Sequence, residues 1–255
     1  MPQLMNNDDM QTLQIPGQGG FYFSAVRPEK LGATEYTLVT VVIDVTGSVE
    51  SFASGLLETL KTIIGACKKN PRAENLMIRV ITFNDEIFEL HGFKPLSEID
   101  PDSYGEFHPT GMTALYDAAY SGIGAVIEYG KVLVEQDFNA NGAVYIITDG
   151  DDNRSHTPPE KIATLVRDVK QSESLESLTT ILIGLHDPRI TGDDWANQIA
   201  MRLEEFKTKA EMTQFIDMGD ATPQQLAKLA NWVSQSISSQ SQSLGTGAAS
   251  QPINF

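Results

Sequence analysis

Cysteine occurs once in these 255 residues, at Cys67, which excludes an internal disulfide and fits a reducing cytoplasm. Histidine is nearly as scarce. His91, His108, His156 and His186 stand apart without paired spacing, and with no second cysteine a zinc site has no ligand set to draw on. Positive charge is short as well, with 18 Lys and Arg against 34 Asp and Glu, for a formal net charge of −16. That balance argues against nucleic acid, whose phosphates need clustered cations, and against an anionic membrane surface. No apolar run reaches the roughly 18 residues of a membrane-spanning helix. The opening residues Met1 to Asp9 show neither the basic start nor the apolar stretch of a secretory signal, so a cytoplasmic location is expected.

What is present suffices for a sizeable core. The hydrophobic content of 41% is ordinary for a globular protein, and the length suits one large α/β domain. The chain is organised around Thr37-Leu38-Val39-Thr40-Val41-Val42-Ile43-Asp44-Val45-Thr46-Gly47-Ser48. Continuous β-branched and apolar residues without alternation predict a strand buried on both faces, as in the middle of a parallel sheet. It ends in an acid and two hydroxyls at alternate positions. In open α/β sheets the functional crevice lies past the carboxyl ends of such strands, and oxygen is the ligand atom that hard divalent cations prefer. Two readings stand side by side here: Asp44 as a turn former with Ser48 capping the next helix, or Asp44, Thr46 and Ser48 as cation ligands.

The remaining chain reads as alternating strands and helices. Residues 1–35 form an N-terminal extension, partly irregular, in which Phe21-Tyr22-Phe23 is a short edge strand or a cap on the sheet. A helix over about 50–69 carries the stripe Phe52, Leu56, Leu60, Ile63, Ile64 and Cys67, which makes Cys67 a core residue. The strand at 76–83 pairs with a second at 87–90 through the Asn84-Asp85-Glu86 turn. A long turn-rich segment from His91 to Pro109 then frames a site. It leads through Thr110-Gly111-Met112-Thr113 into a helix over about 114–135, whose Ala118, Ala119, Gly122 and Ala125 permit close approach to the sheet. Thr113 either caps that helix or turns its hydroxyl toward Asp44.

Another buried-type strand, 143–148, ends in Asp149-Gly150-Asp151-Asp152-Asn153. Thr157-Pro158-Pro159-Glu160 and Thr222-Pro223-Gln224-Gln225 read as capping boxes that open helices. Strands are expected at 178–185 and 214–218. Between them lies a helix whose inner face is Trp195, Ile199, Leu203 and Phe206. The domain spans 36–238, and 239–255 is a flexible Ser/Gln/Gly-rich tail. This alternation means βαβ units: a doubly wound, Rossmann-like, mainly parallel sheet with helices on both faces.

Three loops thus converge on one sheet edge: Asp44-Val45-Thr46-Gly47-Ser48, Gly111-Met112-Thr113-Ala114-Leu115-Tyr116-Asp117, and Thr148-Asp149-Gly150. In this order, each at a strand-to-helix junction, they resemble the metal-ion-dependent adhesion site of the von Willebrand factor A domain. The matching elements run from about Tyr36 to Ile237. The resemblance implies that Thr46 and Ser48 ligate the ion directly, that Thr113 joins directly or through water, and that Asp44 and Asp149 act largely through water. Thr46 stands where serine is commoner, which preserves the oxygen, and Thr110 competes with Thr113 for the loop position. Mg²⁺ is the implied ion, with Mn²⁺ or Ca²⁺ as substitutes. Two carboxylates held together repel at neutral pH, and a divalent cation relieves that repulsion.

The overall shape is similar to stand-alone intracellular bacterial proteins of this family, including those encoded with tellurite-resistance and stress-response gene sets. That similarity implies a non-enzymatic adaptor or scaffold whose protein partner supplies an Asp or Glu to the metal. Given the charge of −16, the partner's surrounding surface is expected to be basic or neutral. Two alternatives remain, a metal-dependent phosphoryl-transfer enzyme and a structural subunit with a vestigial site. Asp44-Val45-Thr46 lacks the second Asp of an aspartyl-phosphate phosphatase, and Thr46-Gly47-Ser48-Val49-Glu50 lacks the G-x-S-x-G elbow of a serine hydrolase.

Overall fold

A computed structural model of the chain describes residues 9–17, 20–172, 174–189 and 193–246. The N-terminal extension supplies β1 (Met10–Gln14) and β2 (Tyr22–Val26), paired as an antiparallel hairpin. The central strand β3 (Glu35–Asp44) follows, with every residue from Tyr36 onward buried. A 3-10 turn over Gly47–Ser51 then leads into helix α1 (Ala53–Cys67). β4 (Leu76–Phe83) and β5 (Ile87–Pro95) run antiparallel around the predicted Asn84-Asp85-Glu86 turn. After α2 (Leu115–Val134) come β6 (Asn139–Thr148), α3 (Pro159–Ser172), β7 (Leu178–His186), α4 (Asp193–Lys209), β8 (Gln214–Asp220) and α5 (Pro223–Thr246).

The eight strands form one sheet in the order β1-β2-β5-β4-β3-β6-β7-β8. β4, β3, β6, β7 and β8 are mutually parallel, and helices cover both faces. This is the expected α/β, Rossmann-like architecture, with β5, β2 and β1 extending one side. Alternation along β3 divides the core. Leu38 and Val42 join the layer under α2, α3 and α4, whereas Val39, Val41 and Ile43 join the layer under α1 and α5. Cys67 is a fully buried part of that second layer. The small residues of α2 do bring it down onto the sheet: a Cβ on Gly122 would sit 2.9 Å from the Val42 side chain and 3.3 Å from Val144.

Several expectations need correction. The segment from His91 to Pro109 is not an open loop, because β5 runs to Pro95 and 3-10 turns follow at Leu96–Glu98 and Pro101–Ser103. Leu96 and Ile99 bury their side chains in the α1–α5 layer, which holds this stretch down. On α4, Ile199, Leu203 and Phe206 are buried as predicted, but Trp195 is 37% exposed. The stripe begins one turn later than the spacing predicts, and a large indole is seldom wholly buried. Residues 239–246 of the expected tail are helical. α5 continues to Thr246, and Gln240 and Ser241 are buried against the domain. The Gln240 carbonyl accepts from Asn141 at 2.8 Å, and its side-chain amide donates to Thr179 at 3.0 Å. Polar composition concealed this last stretch of the helix, because Gln240 and Ser241 are anchored by hydrogen bonds to Asn141, Thr179 and Arg72. Residues 247–255 lie outside the described part.

The N-terminal hairpin is seated on the sheet. β2 meets β5 in a parallel bridge at Ala25 and Phe93, and Ile15 and Phe23 lie in the α2-side core. At the crossing, a Cβ on Gly92 would collide with the backbone carbonyl of Ser24. Gly92→Ala should therefore loosen the hairpin. Hydrogen exchange should show lost protection over 22–26 and unchanged protection over 36–44, at a cost of about 2 kcal/mol. Unchanged protection over 22–26 would show that the crossing tolerates a methyl.

Candidate metal centre

The residues picked out in sequence come together where β3 and β6 end side by side. Asp44 is the last residue of β3 and is fully buried. One carboxylate oxygen accepts the Thr46 backbone N–H at 2.8 Å, and the other accepts the Thr148 hydroxyl at 2.6 Å. The first contact closes the tight turn after the strand, and the second ties Asp44 to the end of β6. Thr46 and Ser48 exchange a hydroxyl hydrogen bond at 2.9 Å, and Ser48 donates to Asp149 Oδ1 at 2.8 Å. Ser48 is therefore not the cap of α1, which begins five residues later at Ala53 after Phe52. Its hydroxyl spans from the first loop to the third.

Thr113 lies against that third loop: a Cβ on Gly150 would sit 3.6 Å from Thr113 Oγ1. The helix-cap alternative does not hold, because the residue at the start of α2 is Ala114 and no side chain caps it. Thr113 is buried and Thr110 is exposed, which favours Thr113 for the loop position. Its peptide is clamped from both ends. The Thr113 N–H donates to Asn153 Oδ1 at 2.9 Å, and its carbonyl accepts the Asn153 N–H at 3.0 Å. Loop positions are braced further by Thr110 N–H to the Val45 carbonyl at 3.0 Å and Ala114 N–H to the Asn84 carbonyl at 2.8 Å. Gly111, at φ +79°, takes a left-handed turn against the Asp85 side chain, which a Cβ would strike.

The acids after Asp149 have separate tasks. Asp151 pairs with Arg202 at 3.0 Å, while Asp152 accepts the Ser155 hydroxyl at 2.5 Å and the Tyr116 N–H at 3.3 Å. Asp117 accepts the N–H groups of His156 and Thr157 at 3.0 and 2.9 Å. The Asp152 and Asp117 contacts staple the third loop onto the start of α2, and the Asp151 pair ties it to α4. Sequence reasoning missed the bracing by Asn153 and Asn84, and it missed Asp187 at the end of β7. Asn153 had a readable signal, as an Asn closing an acidic turn, but its partner in another loop did not.

The electrostatics are strained. Burial raises Asp44 above the usual carboxylate range, against the lowering effect of the Thr148 and Thr46 hydrogen bonds. Asp149 is raised to about 7, first by burial and then by the charge of Asp44, with the Ser48 hydrogen bond opposing. Asp149 Oδ2 is buried without a hydrogen-bond partner in the structure. A buried carboxylate oxygen with no donor is costly, and such an orphan marks a place for a cation or a proton. No group of three or more His, Cys, Asp or Glu side chains among the described residues is placed to hold a metal ion. The set gathered here has a different chemistry, two carboxylates and three hydroxyls, which suits a hard cation that keeps some of its water.

Among the described residues, no helix is long and apolar enough to cross a membrane. No family model matches the sequence, and no curated protein matches it. Solved structures do share the fold. The PilB minor pilin from Streptococcus sanguinis aligns with a TM-score of 0.54 and 13% identity, over 92% of this chain and 68% of its own. The pilus adhesin SpaC from Lactobacillus rhamnosus GG, in its open conformation, gives 0.53 and 10%, over 92% of this chain and 34% of its own. Proximal thread matrix protein 1 from the mussel byssus, with a zinc-occupied metal-ion-dependent adhesion motif, gives 0.50 and 18%, over 80% of this chain and 46% of its own. This chain thus spans about two thirds of the pilin and less than half of the other two. Identities this low speak for the fold alone. The chain has a von Willebrand factor A-like fold.

Proposed function

We propose that this protein is a non-enzymatic, divalent-metal-dependent interaction module that binds a carboxylate of a protein partner. The observation that carries the reading is the orphaned, buried Asp149 Oδ2 beside a second buried carboxylate. Asp44, Thr46, Ser48, Thr113 and Asp149 would hold the ion, which we take to be Mg²⁺, with Mn²⁺ or Ca²⁺ as substitutes. When bound, the ion supplies a Lewis-acidic position that an Asp or Glu from outside can fill. The protein's own part is arrangement. Thr148 and the Thr46 N–H fix the Asp44 carboxylate, and Ser48 fixes Asp149. Asn153 holds the Thr113 peptide against the third loop. None of these contacts moves a proton or presents a nucleophile to a bound molecule, which favours binding over catalysis.

An adaptor role of the kind expected for stand-alone bacterial proteins of the tellurite-resistance type belongs to the same proposal. So does a cytoplasmic setting, which the lone buried thiol of Cys67 suits. The −16 charge requires the docking face of the partner to be basic or neutral around its acid.

Capture from native lysate tests the reading. Immobilised protein should retain a partner in Mg²⁺ and release it to chelator, and Ser48→Ala or Asp44→Ala should lose at least about tenfold of the captured material while remaining folded. Equal capture with and without chelator would contradict the proposal. Hydrolysis of phosphate esters that disappears in Asp44→Ala would replace it with the enzyme reading.

A further inference from the structure

Asp187 lies just past the end of β7, the parallel neighbour of β6, and Thr148 is in register with Gly184 three residues before it. Only 3% of Asp187 is exposed, and its field is among the influences that raise Asp149. A buried acid whose field reaches Asp149 would aggravate the repulsion there, yet this one carries its own counter-ion. Arg189 Nε donates to both Asp187 oxygens at 3.1 Å, Arg189 Nη2 donates to Oδ2 at 2.8 Å, and the Arg189 N–H donates to Oδ1 at 2.9 Å. The Ser51 side chain, at the end of the 3-10 turn that carries Ser48, supports the same carboxylate. Asp187 thus joins the β7 edge to the first site loop, while the Arg189 side chain is 64% exposed and free to exchange with solvent.

We propose that Asp187 is a third carboxylate of the metal centre, acting through its field and not by ligation, and that Arg189 sets the affinity for the cation by cancelling its charge. The inference rests on the metal-binding reading above. With the pair intact, the two charges largely cancel at the ion. Loss of Arg189 alone leaves a negative charge near a divalent cation and tightens binding. Loss of Asp187 alone leaves the guanidinium uncancelled and weakens it. A unit charge about 8 Å from a divalent ion in a water-like dielectric changes affinity by roughly fivefold, and less at high salt.

Calorimetric titration of the full, metal-free chain with Mg²⁺ alone, at fixed low ionic strength, tests this. Arg189→Gln should bind about fivefold more tightly than the parent, Asp187→Asn about fivefold more weakly, and the double variant close to the parent. Arg189→Lys, which keeps the charge, should restore parental affinity. A purely structural turn would shift melting temperatures and leave the Mg²⁺ dissociation constants alike, which would overturn the inference. Should Asp187→Asn fail to fold, the Arg189→Gln and Arg189→Lys comparison still decides. A parent chain that takes up no Mg²⁺ overturns the site reading itself, whereas a parent that binds and variants that match it overturn only the role of this pair.

Discussion

Asp149→Asn should make the metal-free protein more stable at neutral pH, by about 2–4 kcal/mol or roughly 5–10 °C in Tm. The sign follows from the raised carboxyl. Asp149 releases its proton near 3.8 in an ordinary setting and at about 7 in the folded chain. Between those values the folded state keeps a proton that the unfolded state has lost, so metal-free stability falls as pH rises through this window and levels off above it. Asn carries no charge to bury, and the variant should lose the Asp149 share of that slope while keeping the share that buried Asp44 contributes. Divalent metal should act in the opposite direction on the parent, raising its Tm at about pH 7.5 and leaving the variant unmoved, because a ligand stabilises only the state that binds it. Melting curves across pH, with and without Mg²⁺, measure all of this. A parent whose stability stays flat between about pH 4 and 7 would show that Asp149 ionises without penalty.

The second large effect lies away from the site. Arg79 is fully buried on β4, and Glu89 on β5 accepts its Nε at 2.6 Å. Glu89 Oε1 also takes the Ser24 N–H at 3.0 Å and the Ser24 hydroxyl at 2.5 Å, so one carboxylate joins the N-terminal hairpin to the sheet. The other Arg79 contacts, to the Ser121 carbonyl and hydroxyl, are long at 3.4 Å and cannot replace it. Burial already lowers the Arg79 pKa against the pull of Glu89. Glu89→Ala leaves a guanidinium without its counter-ion in the core, and urea denaturation should show a loss of about 3–5 kcal/mol. Replacing the pair together, as Arg79→Met with Glu89→Leu, should cost much less, because no charge is then buried. A loss below about 1 kcal/mol in Glu89→Ala would mean that water reaches Arg79.

The parts of the fold that were legible in sequence are those where one periodicity rules. Tyr36 to Asp44 reads as a central strand because burial on both faces removes any alternation, and the α2 stripe reads correctly because small residues have few other uses at that spacing. The gathering of the candidate residues was legible for a similar reason: Asp44, Thr46 and Ser48 come from one turn, and Thr113 and Asp149 each follow a recognisable junction. The pieces that escaped depend on partners far away in the chain. Gln240 looks like a tail residue until Asn141 and Thr179 are found bonded to it, and so does Ser241 until Arg72 is found donating to its hydroxyl. The long stretch after His91 reads as loop until Leu96 and Ile99 find the α1–α5 layer. Asp187 and Asn153 matter only through loops that the sheet brings to the same edge. No local pattern announces such pairings.

An anomalous-difference map from crystals of the intact chain grown in Mn²⁺ decides whether the cluster at the ends of β3 and β6 holds a cation. One peak per chain is expected, within about 2.3 Å of the Ser48 and Thr46 hydroxyls and facing Asp149 Oδ2, and it should disappear in Asp44→Asn. No density there at saturating Mn²⁺, or a peak that survives in Asp44→Asn, would contradict it.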